Sequence, residues 1–320
     1  MRKSYLLVAA ALLVAASCQK NDNASSVEGI KYNPIDVVLS AAIEDVDTKV
    51  GYTEDANALK AAWKAGDKIS LVAIDASGKV LSNDVFETTT AGPVAKFSGK
   101  YSNPDGAVMV SVFYPALTVG DGSDAQPWRC ENNVLFNMKL GKEFIHLSTY
   151  GPHYQEMNAD PAFLSKGVVM KGKISDMSAF MSGAAKTTLK NACYIIKTTV
   201  TLPSTVTEVS EVRLATVSSS LTVLGWTKVG DRFMISYGGP ASSEFDKIST
   251  SLGNFAPASG GTVTAWMIGY SVNQFEVPSG ETLTMSVTTD QGVISRDKPL
   301  TSNITFESGK IYRLTVDMTK

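Results

Sequence analysis

Histidine and cysteine are scarce in this chain of 320 residues: His146 and His153 are the only histidines, and Cys18, Cys130 and Cys193 the only cysteines. Their spacing matches no zinc motif. Two isolated histidines also argue against nucleophilic catalysis that runs through an imidazole base. Charge is thin as well. Charged residues make up 19% of the chain, and 29 Lys and Arg against 31 Asp and Glu leave a net charge of -2 at pH 7. No basic cluster tracks a phosphate backbone, and no field of one sign steers the chain to nucleic acid or acidic lipid. The expectation is therefore no metal, no cofactor and no nucleic-acid partner. There is no internal repeat, and no low-complexity stretch after residue 28.

One apolar run stands at the N-terminus. Residues 5–16 carry no charge and follow Arg2 and Lys3, and Ala15, Ala16 and Ser17 are the small residues of a cleavage position. The run is shorter than the ~18 apolar residues of a membrane-spanning helix. It reads as an export signal. Cys18 directly after the small residues resembles the lipobox of bacterial lipoproteins, with Ala15 where leucine is more usual. That resemblance implies cleavage before Cys18 and a diacylglycerol on its sulfur; several acyl chains together make a stable anchor. The alternative is an ordinary secretory signal with an incidental cysteine. Residues 1–17 are then the signal peptide. Residues 18–33 form a flexible tether, because the stretch QKNDNASSVE is polar and lacks aromatics.

The remainder reads as all-β. In residues 35–43 (IDVVLSAAI), Ile35, Val37, Leu39, Ala41 and Ile43 alternate with the opposite face, the mark of a half-buried strand. Residues 53–62 read as loop. Trp63 leads a turn at Ala65-Gly66-Asp67, followed by a strand over residues 68–74, a turn at Ser77-Gly78 and a returning strand from Val80. Residues 107–114 (AVMVSVFY) form an apolar strand ending at Pro115. Further strands are expected over residues 167–174, 192–200, 209–215, 221–227, 232–237, 261–270 and 282–288, with a helical turn or irregular link over 176–184. In the last strand Tyr312, Leu314, Val316 and Met318 share one face. Many short strands separated by Ser, Thr and Gly imply β-sandwiches, with a division near Gly183.

Read singly, the residues around Trp63 are structural: a core aromatic, a glycine supplying backbone freedom and an aspartate closing a turn. In order, Thr48-Lys49, Tyr52, Trp63, Gly66-Asp67, Ile69, Phe97-Ser98-Gly99 and Tyr114-Pro115 resemble the N-terminal domain of the fimbrillins, the lipoprotein pilins of Gram-negative oral and gut anaerobes. Gly309, Tyr312, Leu314 and Val316 resemble their closing strand. The resemblance implies two tandem transthyretin-like β-sandwich domains, at residues 34–183 and 184–320. It implies a surface lipoprotein of the outer membrane, acting in adhesion as fimbrial subunit, anchor or accessory protein. Its partners would be other subunits, joined by strand exchange, the outer membrane through the lipid, and a host surface or glycan. Stalk members are cut after an arginine that follows the first strand. Here no arginine lies between Arg2 and Arg129. Lys49 sits in the corresponding loop and is the alternative cleavage site; otherwise the strand is retained.

A second class of function is glycan binding, with Trp128, Trp226 or Trp266 as sugar platforms. Trp226 and Trp266 lie in apolar runs that suit a core, which leaves Trp128. The loop of residues 146–162, with His146, His153, Tyr150 and Tyr154, either stacks on a sugar or plugs the base of a sandwich, the latter preferred. Asp121-Gly122-Ser123-Asp124 reads as a solvated turn, since no EF-type loop is completed. No carboxylate pair is distinctive enough for a hydrolase, so no catalytic residue is named. Cys130 and Cys193 either pair or stay as two buried thiols.

Overall fold

The computed structural model describes residues 30–43, 53–55, 58–116, 128–131, 134–137, 142–143, 153–155, 158–161, 164, 168–216, 226–229, 232–235, 247–258, 261–270 and 274–320. The chain is all-β and of sandwich type, as its sequence pattern predicts. The first strand, β1 (Ile35–Ile43), is followed by a hairpin of β2 (Thr53–Asp55) and β3 (Ala58–Lys60). That hairpin replaces the loop expected over residues 53–62, because strands of three residues are too short to show a period.

Seven strands close into a barrel in the order β1, β13 (Lys186–Asn191), β12 (Met170–Ile174), β7 (Met109–Tyr114), β4 (Lys68–Ile74), β5 (Val80–Thr88) and β6 (Val94–Tyr101). β4 is buried at every position after Lys68, so it reads as a continuous apolar run (ISLVAI) rather than an alternating one. Gly99 is required in β6: a Cβ there would lie 2.7 Å from the Phe86 ring. The link after β12 is a short helix, α1 (Met177–Met181). Asp176 caps it, accepting from the Ala179 amide at 2.9 Å, and Phe180 packs edge-on against Tyr101. β13 follows Gly183, where the sequence suggests a division, and joins the barrel. Within the region between β7 and β12, β8 (Trp128–Glu131), β9 (Val134–Asn137) and β10 (Lys142–Glu143) form a small antiparallel sheet.

A second core is built by described residues between Tyr194 and Met318. One sheet runs β11 (His153–Gln155), β18 (Lys247–Phe255), β15 (Val209–Thr216), β21 (Thr282–Thr289), β22 (Gly292–Pro299). Facing it are β19 (Thr262–Tyr270), β14 (Cys193–Thr201) and β24 (Ile311–Asp317), with the pair β20 (Gln274–Val277) and β23 (Ile304–Glu307). β16 (Trp226–Val229) and β17 (Arg232–Ile235) form a separate hairpin.

The sheet of β19, β14 and β24 belongs to both cores. Cys193, Ile195, Trp266 and Ile268 pack into the barrel core. Their neighbours Tyr194, Ile196, Ala265 and Met267 pack into the second core. Successive strand residues point to opposite faces, so one sheet serves as a wall between the two. Only Ala192 separates β13 from β14.

A second tie comes from polar side chains. β11 lies between β7 and β12 in sequence, yet it pairs in parallel with β18. The Gln155 amide reaches the outer edge of β19: Nε2 donates to the Thr264 carbonyl at 2.8 Å, and Oε1 accepts from the Trp266 amide at 3.0 Å. Asn158 Oδ1 accepts from the Thr264 amide at 2.8 Å, and the Trp266 indole donates to the Ala159 carbonyl at 3.2 Å. Two carboxamides thus do what a strand's backbone does at a sheet edge, satisfying buried donors and acceptors.

Candidate functional site: the seat of the first strand

β1 is bonded along both edges. It pairs antiparallel with β6 from Ile35 to Ala42 and parallel with β13 from Ser40 to Ile43. Val37, Leu39, Ala41 and Ile43 are buried in the barrel core, as the alternation predicts.

Trp63, Gly66, Asp67, Phe97 and Tyr114, five of the residues that carry the family resemblance, meet here, while Thr48, Lys49 and Tyr52 lie outside the described residues. Trp63 is fully buried, and its indole N–H donates to the Ala41 carbonyl of β1 at 3.0 Å. Its ring stands edge-on to Phe97 and Tyr114, with centroids 4.9 and 5.3 Å away. Ala41 pairs with Ala95 across the β1–β6 ladder, and both are buried. Two small residues there leave room for the indole.

A tight turn aims Trp63. Gly66 adopts φ 89°, a left-handed conformation that favours glycine, and donates to the Thr88 carbonyl at 2.7 Å. Asp67 Oδ2 accepts from the Lys64 amide at 2.7 Å, and its Oδ1 accepts from the Tyr114 hydroxyl at 3.4 Å. Burial and the Asp67 charge push the Tyr114 hydroxyl well above the ordinary tyrosine range. Trp63 exchanges backbone hydrogen bonds with Gly92 at 2.9 and 3.0 Å, and the Pro93 carbonyl accepts from the Ile43 amide at 3.3 Å. The motif is a clamp on the end of β1.

The chain entering β1 is also held. Residues 30–33, expected within the tether, lie along the loop after β6. The Asn33 amide donates to the Asn103 carbonyl, the Asp105 amide donates to the Lys31 carbonyl, and the Tyr32 hydroxyl donates to the Leu81 carbonyl at 3.1 Å.

β5 carries a buried carboxylate that no sequence motif marks. Asp84 is 1% exposed and accepts from the Ser102 hydroxyl at 2.5 Å, the Ser102 amide at 3.0 Å and the Ser82 hydroxyl at 3.1 Å. Burial holds its carboxyl above the ordinary carboxylate range, against the opposing effect of those three donors. The folded state therefore holds this proton more tightly than the unfolded chain. Its stabilising contribution is complete below the ordinary carboxylate pKa of about 4 and is lost as pH rises through the raised value. In thermal melts between pH 4 and pH 7, the Tm of Asp84→Asn is expected to gain on that of the wild type as pH rises. A Tm difference independent of pH would contradict this account.

Other expected sites are placed as follows. Cys18, Lys49, His146, Tyr150 and residues 121–124 lie outside the described residues, as do the side chains of Trp128, Cys130, His153, Tyr154 and Trp226. Cys193 is buried. Trp266 is fully buried with Lys197 over its ring, which suits a core residue and rules out a sugar platform. Among the described residues there is no group of three or more His, Cys, Asp or Glu that could hold a metal ion, and no helix long and apolar enough to cross a membrane.

No family model matches the chain, and no curated protein does. Solved structures do. A candidate cell adhesion protein of Bacteroides uniformis is 12% identical with a TM-score of 0.43, over 88% of this chain and 93% of that one. A fimbrial assembly protein of Parabacteroides distasonis is 11% identical with a TM-score of 0.40, over 89% of this chain and 92% of that one. The tip fimbrial protein Mfa3 of Porphyromonas gingivalis, truncated at its C-terminus, is 12% identical with a TM-score of 0.33, over 83% of this chain and 81% of that one.

Proposed function

We propose that the chain is a surface lipoprotein of the outer membrane, anchored through Cys18, that serves a fimbria as anchor or accessory subunit. Two tandem β units belong to this reading, with β13 counted in the first. The observation that carries it is the seat of β1: a strand bonded on both edges, four side chains deep in the core, and clamped at Ala41 by Trp63. A chain that keeps this strand has a closed first barrel. A chain cut at Lys49 could release it, and the groove would accept a strand from a neighbouring subunit by β-addition. The missing arginine favours retention, hence the anchor or accessory role over the stalk.

Mass spectrometry of the native protein extracted from membranes tests this at its N-terminus. An acylated Cys18 on an uncut chain is the expected result. A chain starting at Val50 would replace the anchor with a processed stalk subunit. A start at Cys18 without acyl groups would remove the lipoprotein reading.

A further inference from the structure

We propose that the fold is a load-bearing link, in which tension along the chain is carried by two parallel strand pairs in series, both loaded in shear. This goes beyond the anchor reading and rests on topology alone. β1 and β13 are parallel, in register from Ser40/Lys186 to Ile43/Leu189. β13 passes through the single residue Ala192 into β14. β14 and β24 are again parallel, in register from Ile195/Ile311 to Thr201/Asp317.

Tension between residue 30 and residue 320 pulls β1 backward from its N-terminal end. It pulls β13 forward from its C-terminal end, through β14. Opposite ends of a parallel pair move away from each other along the strand axis, so all the bonds of the pair are loaded together. β14 and β24 meet the same condition, with β14 drawn back by β13 and β24 drawn forward from its C-terminal end. Each hydrogen bond contributes little net by itself, so resistance depends on whether bonds fail together or singly.

The surroundings reinforce both pairs. β6 bonds the other edge of β1 over eight residue pairs, and β19 bonds the other edge of β14 over nine. β14 contributes side chains to both cores, so it cannot slide without disturbing each. The joint is braced as well: the Ala192 amide donates to the Val169 carbonyl at 2.8 Å, the Cys193 carbonyl accepts from the Gly309 amide at 2.8 Å, and the Ser308 hydroxyl donates to the Ala192 carbonyl at 3.2 Å. Load thus crosses from one core to the other without a flexible linker.

Single-molecule force spectroscopy on residues 19–320 tests the proposal in two pulling geometries. In the first, one handle replaces residues 1–18 ahead of Gln19 and the other follows Lys320. In the second, one handle again precedes Gln19 and the other is attached at exposed Ser182, replaced by an azide-bearing amino acid. The second geometry pulls β1 and β13 from the same end, so their bonds break in sequence. Matching thermal melts confirm that both proteins are folded. The expected result is a rupture force several-fold higher in the first geometry. Equal forces, or a lower force in the first geometry, overturn the proposal. Acylation of Cys18 does not enter this measurement, so the lipoprotein reading and the load-bearing reading can fail independently.

Discussion

A chain lacking residues 1–43 is expected not to fold by itself, and to regain its structure when a peptide of residues 30–43 is supplied. Val37, Leu39 and Ile43 each bury a large apolar side chain in the barrel core. At about 1.5–3 kcal/mol per large residue their loss exposes on the order of 5–10 kcal/mol of burial. A whole domain is stable by only about 5–15 kcal/mol. Removing β1 also leaves the facing edges of β6 and β13 without their partners. Circular dichroism and thermal melting of the truncated chain, with and without the peptide, read the effect. A Leu39→Asp peptide is the control and should restore nothing. Melting of the truncated chain at the temperature of the intact protein would show that β1 is dispensable and that no groove is created.

Trp63→Ala is expected to lower stability by about 3–5 kcal/mol, the usual range for deleting a buried tryptophan. The site should collapse poorly. The indole is fully buried, and Phe97 and Tyr114 stand edge-on to it. Trp63→Phe separates packing from hydrogen bonding. It retains an aromatic ring but strands the buried Ala41 carbonyl, a loss of about 1–3 kcal/mol. Urea denaturation of both variants, followed at constant m-value, measures these differences. If Trp63→Phe proved as costly as Trp63→Ala, the hydrogen bond to β1 would outweigh the packing of the ring. If it cost nothing, the hydrogen bond would not hold β1 at all.

Strands that bury one face, or both, announced themselves in the sequence. β1 and β24 alternate; β4 and β7 are short apolar runs. Strands whose burial does not follow side-chain polarity did not. β13 points Thr187, Leu189 and Asn191 inward, so a period-two pattern exists but two of its three inner residues are polar. β22 is a sheet edge with no buried residue, and nothing in GVISRDKP distinguishes its faces. The same division applies at the site. Trp63, Gly66 and Asp67 could be read as a core aromatic and a tight turn because those roles depend on neighbours in sequence. That the indole grips Ala41 could not, since the contact spans 22 residues and shows only in three dimensions. Gln155 and Asn158 were illegible for a different reason: polar side chains in a loop carry no period, and only folding reveals that they edge a sheet. Asp84 follows four buried residues in β5, where a carboxylate looks like an interruption until Ser82 and Ser102 are seen around it.

The wall shared by the two cores makes parity, and not only length, a property of this chain. From Cys193 to Ile196 each residue belongs to the opposite core from the one before it. One residue inserted or removed at Ala192 would hand every following side chain of β14 to the wrong side, because a one-residue slip inverts a strand's faces; a deletion places Tyr194 where Cys193 packs, and an insertion places Cys193 where Tyr194 does. An insertion of two residues preserves the assignment and strains only the joint. Tolerated length variation at this point should therefore come in even steps, a digital constraint on a region where an ordinary interdomain linker would accept any number.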